Sequence, residues 1–123
     1  MEVILLDTNV LIEILKNNQD SIQQILLLKP PLAISSITAM ELIYGARNKS
    51  EVLKLEKFIE KFDIIHLDEQ ISALAYQFIT EFSKSHNLDI PDALIAAAAI
   101  QNRAQFLTYN KKIFRFIPAI KLI

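Results

Sequence analysis

Short apolar runs that do not alternate with polar residues are what most restrict the fold of this chain. Val3–Leu6, Leu32–Ser35, Ile64–Leu67, Phe106–Thr108 and Ile120–Ile123 each read as a strand with no solvated face. An alternating strand can leave one side in water, whereas a continuous apolar run needs cover on both. Between the runs lie stretches with helical spacing, about Val10–Lys16, Ser21–Leu28, Ile37–Arg47, Glu51–Phe62, Glu69–His86 and Asp92–Arg103. Strands alternating with helices give an α/β domain: a central parallel sheet of four to five strands with helices on both faces. The punctuation agrees. Lys29-Pro30-Pro31 closes the second helix, Ser50 is the expected N-cap of the fourth, and Pro91 suits the first turn of the last.

Composition narrows the chemistry. A chain of 123 residues with no internal repeat or linker is expected to be one domain, burying about two-thirds of its unfolded surface. There is no cysteine, hence no disulfide, thiolate metal site or cysteine nucleophile. The single glycine, Gly45, excludes a dinucleotide-binding fingerprint and a P-loop, which need several glycines for backbone amides to approach phosphates. It also excludes a G-x-S-x-G nucleophile elbow. With only His66 and His86 present, a histidine-rich metal site is out too; His66 reads as a core histidine and His86 as a surface residue. The apolar run Ala93–Ile100 is far shorter than the roughly 20 residues of a membrane span. Met1-Glu2 offers no basic segment of a secretory signal. A soluble cytoplasmic protein is the expectation.

Carboxylate chemistry remains. Asp7 follows the first apolar run directly, Glu41 interrupts the apolar stretch Ile37–Ile43, and Asp92 opens the alanine-rich helix Asp92–Ile100. Acids in such surroundings are rare unless paired or bound to a metal, and three in one domain point to a hard-cation site and phosphate chemistry. In an open parallel sheet, sites form beyond the carboxyl ends of the strands. Asp7 and Asn9 follow the first strand, Ser35 and Ser36 the second, and Thr108 and Asn110 the fourth. Asp92 belongs to the first turn of a helix starting at the same rim. Thr38, Glu41 and Gly45 share one helix face. Each acid also has a plain structural explanation: Asp7 as a helix cap, Asp92 as a helix-dipole acid, Glu41 as an outward residue. All three would have to hold at once.

Charge is uneven. Residues 101–123 carry five basic residues (Arg103, Lys111, Lys112, Arg115, Lys121) and no acid, while residues 1–100 carry eight basic and 14 acidic. This is either a balancing tail or a phosphate-facing patch beside the acids.

Four segments together resemble the PIN domain, in particular the VapC-type toxins of prokaryotic toxin–antitoxin pairs. They are Leu5-Leu6-Asp7-Thr8-Asn9-Val10, Ile34 to Gly45, Ile90-Pro91-Asp92-Ala93-Leu94-Ile95-Ala96-Ala97, and Leu107-Thr108-Tyr109-Asn110. Their order and spacing match across essentially the whole chain. The resemblance implies a metal-dependent endoribonuclease whose products carry a 5′-phosphate and a 3′-hydroxyl. It implies Asp7, Glu41 and Asp92 as the catalytic acids, Asp7 and Asp92 holding Mg²⁺ or Mn²⁺, and Glu41 orienting the attacking water. Asn110, Thr108 and Asn9 would support these acids, Asn110 standing where the family carries Asp or Asn. Ile113 stands where members often carry a fourth acid, so that carboxylate is missing. Lys111, Lys112, Arg115 and Arg47 are the expected RNA contacts, with Tyr109 available for stacking on a base. The implied partners are RNA (tRNA or rRNA), a small VapB-like antitoxin and a second copy in a homodimer; no membrane is implied. The surplus of apolar residues in Glu51–Phe62 and Glu69–Phe82 suggests a groove for a partner helix or a dimer face. Two other readings stay open: a PIN-like module that binds RNA or protein without cutting, and a phosphatase or phosphoacceptor with Asp7 as nucleophile and Lys111 beside it.

Overall fold

The structure, a computed structural model, describes residues 2–123; Met1 of the Met1-Glu2 pair lies outside them. In chain order the elements are β1 (Ile4–Leu6), α1 (Thr8–Leu15), α2 (Gln19–Leu27), β2 (Leu32–Ser35), α3 (Ser36–Tyr44), α4 (Lys49–Ile59), β3 (Asp63–Ile65), α5 (Glu69–His86), α6 (Ile90–Gln101), β4 (Gln105–Leu107), α7 (Lys111–Phe114) and β5 (Lys121–Leu122). The five strands form one sheet in the order β3-β2-β1-β4-β5, and every neighbouring pair is parallel. The expected three-layer α/β/α architecture is what the chain adopts.

Strand side chains alternate between two cores. Leu5, Ala33 and Phe106 point to one face, against α5, α6 and the Phe114–Ile117 segment. Ile4, Leu6, Ile34 and Leu107 point to the other, against α1, α3 and α4. This two-residue alternation is what a pleated strand imposes, and because both faces of the central strands are covered their runs are apolar up to the rim. Helix α6 is buried almost throughout: Ala93 and Ile95 to Ala99 are all at most 1% exposed. Alanine lets a helix sit close to a sheet and to a neighbouring helix, which explains a composition unsuited to a surface element.

Some boundaries differ from the sequence reading. Asn48, not Ser50, caps α4, its side-chain oxygen accepting the Glu51 amide at 2.9 Å. Strand β3 is an edge strand with Asp63 and Ile64 exposed, so one flank lacks the cover the run suggested. His66 lies beyond β3 and is exposed, not a core histidine. His86, the last residue of α5, is exposed as expected and stacks on Phe116 at 4.1 Å between ring centroids. The surplus apolar residues of α4 and α5 are mostly internal: Leu55, Phe58 and Ile59 pack on one core, Leu74, Phe78 and Phe82 on the other. Leu53 of α4 and Tyr76 of α5 do remain exposed, and further exposed apolar surface comes from Leu26 and Leu27 of α2 and Met40 and Tyr44 of α3. Among the described residues no helix is long and apolar enough to cross a membrane.

Candidate active site

The chain builds outward from β1 through β2 to β3, then returns to place β4 on the other side of β1. The direction of building reverses between β1 and β4, and a crevice opens beyond the strand ends at such a point. Asp7 is the first residue past β1 and Thr108 the first past β4. The backbone joins them: the Asp7 amide donates to the Leu107 carbonyl at 2.9 Å.

Asp7 is only 4% exposed. Its Oδ1 accepts the Thr8 amide at 2.8 Å, and its Oδ2 accepts the Thr108 hydroxyl at 2.7 Å. Asp7 does cap α1, but one oxygen is given to a strand 101 residues away. The Thr108 oxygen in turn accepts from Asn9 Nδ2 at 3.3 Å and from the Asn110 amide at 3.0 Å, while Asn9 Oδ1 accepts the Tyr109 amide at 3.1 Å. Asn9 therefore stitches α1 to the loop after β4 and fixes the hydroxyl that faces Asp7.

Glu41 is exposed, as are its neighbours Met40 and Tyr44, so the apolar setting read from sequence is an apolar surface. The Thr8 hydroxyl donates to Glu41 Oε1 at 2.7 Å and lies 2.8 Å from the Thr38 oxygen. A hydroxyl has one proton to give. With the Thr8 proton on Glu41, Thr38 is the donor to Thr8, and a relay runs from buried Thr38 to the carboxylate. Glu41 and Gly45 line one groove, as their spacing on α3 predicts.

Asp92 stands in the first turn of α6, and its amide donates to Asp89 Oδ1 at 2.9 Å. Its carboxyl is pushed up to about 7, chiefly by burial, then by the charges of Asp89 and Asp7, by a side-chain contact with Asp89, and by Glu41. Asp7 is also raised: burial dominates, the Thr108 and Thr8 hydrogen bonds oppose it, and Glu41 and Asp89 add to it. The three acids predicted from sequence thus feel one another across the rim. Asp89 joins them as a fourth carboxylate, supplied by the loop before α6. Ile113, at the position lacking the usual acid, packs against the core.

Asp89 and Thr8 were missed in the sequence reading. The spacing Asp89-Ile-Pro-Asp92 is the signal for the first, because a proline in the first turn of a helix places the cap just before that turn, here two residues ahead at Asp89. Thr8 carried no signal beyond lying between Asp7 and Asn9. Helix α7 was missed as well. Lys111 and Lys112 open it and Arg115 closes it, all exposed. Asn110 stands at its N-terminus with no capping side-chain bond, exposed beside Thr108. Arg47 is differently placed: its guanidinium forks onto Glu51 at 2.8 and 3.0 Å, so its charge is already engaged.

Among the described residues, ion pairs join Lys16 to Glu13, Arg47 to Glu51 and Lys121 to Glu2; none involves Asp7, Glu41, Asp89 or Asp92. Four carboxylates with no protein cation are a donor set that suits a hard divalent ion. Among the described residues no three acidic or histidine side chains are gathered closely enough to hold a metal ion by themselves. Thr108→Val keeps the shape of the side chain and removes the donor to Asp7. It is expected to weaken divalent-ion affinity about 10–100-fold, the usual effect of losing a supporting partner, as read by calorimetric titration with Mn²⁺.

Comparison with known proteins agrees with this geometry. The PIN domain family model matches residues 4–117. The tRNA(fMet)-specific endonuclease VapC of Salmonella typhimurium is 32% identical, over 96% of this chain and 94% of that protein. Ribonuclease VapC1 of Methanocaldococcus jannaschii is 34% identical, over 90% of this chain and 78% of that one. Among solved structures, VapBC2 of Rickettsia felis bound to a promoter DNA fragment superposes with a TM-score of 0.82 at 31% identity, covering 98% of this chain and 97% of that one. This chain belongs to the PIN domain family, and within it to the VapC type.

Proposed function

We propose that the chain is a metal-dependent endoribonuclease and the toxin of a VapBC-type pair. The observation that carries this reading is the set of uncompensated carboxylates at the sheet's switch point, in a chain whose relatives are named ribonucleases and endonucleases. Asp7 and Asp92 would hold Mg²⁺ or Mn²⁺, with Asp89 adding negative charge beside them. When bound, such an ion lowers the pKa of a coordinated water and offsets charge on the scissile phosphate.

The chain's own residues set up the rest. Thr108 and the Thr8 amide fix both oxygens of Asp7. Thr8, backed by Thr38, holds one oxygen of Glu41 and leaves the other free to orient a water and take its proton. Lys111, Lys112 and Arg115 carry the phosphate contacts, with Arg47, exposed although paired with Glu51, available to join them. Lys111→Ala with Lys112→Ala is expected to weaken RNA binding at every sequence and to reduce the slope of log affinity against log salt by about 1 to 2. Anisotropy titrations at several salt concentrations read it.

Asp89 weighs against the non-cutting module, because the rim has four carboxylates. The phosphoacceptor reading is disfavoured because it leaves Glu41, held at the rim by the Thr8 hydroxyl, without a role. An antitoxin segment would cover the rim from the apolar groove of about 550 Å³ that runs from Glu41 past Ile12, Leu15 and Leu55. Met40, Ile43 and Tyr44 of α3, beside Ile59, suit the homodimer face. The test is metal add-back: protein stripped with a chelator should leave a structured RNA intact, and Mn²⁺ or Mg²⁺ should restore cleavage. Undiminished cleavage in chelator would sink the reading.

A further inference from the structure

A cleft of about 750 Å³ opens beside the acidic rim, between α1, α2 and the loop after β4. Asn9 and Tyr109 belong both to this cleft and to the hydrogen-bond network that holds Thr108. The Tyr109 hydroxyl lies 2.9 Å from Ser21 Oγ and 2.6 Å from Gln24 Oε1. The residue is 42% exposed nonetheless. With its polar end engaged inside the protein, Tyr109 presents its ring to the cleft, held in place before any ligand arrives. Leu27, 84% exposed, adds a second apolar surface.

The polar groups say which ligand fits. Gln24 spends its carbonyl on Tyr109 and keeps its amide N–H groups; among the described residues Gln23 makes no side-chain hydrogen bond. Donors and an acceptor are thus on offer. The Asp20 carboxylate and that of Glu13, the latter paired with Lys16 at 3.8 Å, also line the cleft and disfavour a phosphate there. A flat, uncharged group with hydrogen-bonding edges is what remains. The base of an unpaired nucleotide is such a group, whereas in duplex RNA the bases are stacked and paired.

We infer that this cleft is a subsite for one unpaired nucleobase of the RNA strand whose backbone crosses the acidic rim, a reading that rests on the proposed ribonuclease function. The Tyr109 ring stacks on the base, and Gln23 and Gln24 contact its edge. The cleft then sets which nucleotide lies beside the scissile phosphate.

The experiment uses the full-length chain carrying Asp92→Asn and labelled single-stranded RNA octamers, each with one abasic ribose moved along the strand. One abasic position should weaken binding about tenfold, the effect of losing one stacked base. Tyr109→Ala should abolish that contrast, and Tyr109→Phe, which keeps the ring but loses both anchors, should reduce it. Gln23→Ala removes a side chain with no bond inside the protein; it should change which base is preferred while the melting temperature stays put. The inference is overturned if no abasic position matters, or if the contrast survives in Tyr109→Ala. Cleavage by the otherwise wild-type chain is followed in parallel. Absence of cleavage with an intact abasic contrast sinks the nuclease reading alone, and cleavage without the contrast sinks the subsite alone.

Discussion

Asp92→Asn should cost RNA cleavage more than about 10²-fold, beyond the range of a merely supporting residue, and should also make the metal-free protein more stable above pH 7. The second effect comes from the raised acid. An unperturbed aspartate has a pKa near 3.9, whereas in the folded chain Asp92 titrates at about 7. Between these values the native state holds a proton that the unfolded chain has released. Stability therefore falls as pH rises through that window and stays low above it. Asparagine does not titrate, so the variant escapes the fall. The two proteins should melt together near pH 4 and diverge towards pH 8, with Asp92→Asn the higher. Mn²⁺ should then raise the wild-type melting temperature more than that of the variant, because the ion relieves the same repulsion. Thermal melts at pH 4, 6 and 8, with and without Mn²⁺, read both parts. A variant less stable than wild type at pH 8 without metal would contradict the electrostatic account of the rim.

Phe106→Ala should destabilise the fold by about 3–5 kcal/mol, the range for emptying a large buried site. Phe106 is fully buried, and its ring meets Phe114 edge-on at 4.9 Å between centroids. It also stands two residues before Thr108 in the strand that carries the site. The cavity would loosen α7 and the Thr108–Asn110 turn together, so activity should fall at temperatures where most of the protein remains folded. A urea titration gives the stability loss. Cleavage at low temperature separates lost geometry from lost protein.

The layers, the strand runs and the rim were legible in the sequence because each rests on a local rule. A doubly covered strand has no polar face, and an acid that ends such a strand meets the crevice at the switch point. Leu32–Ser35 and Glu69–His86 even coincide with observed elements. What escaped notice depends on contacts between distant segments. Nothing near Thr8 says that its hydroxyl will meet an acid 33 residues later. Asp89 has a local signal, a cap just ahead of a proline, and its charge acts both on Asp92 three residues on and on Asp7 across the rim. Glu41 stands on a divided helix: Leu42, Ala39 and Ile43 pack on the core, whereas Met40, Tyr44 and Glu41 itself are exposed, so the apolar stretch did not bury the acid. His66 went wrong in the same way, since an apolar run at a sheet edge does not bury the residue at its end.

The most direct measurement is cleavage of one structured RNA by wild type, Asp7→Asn and Asp92→Asn, purified identically and assayed with Mn²⁺. The carboxylate rim requires that wild type cut the RNA and that both variants be silent under the same conditions. Equal cleavage by all three would place the activity outside this site and contradict the account.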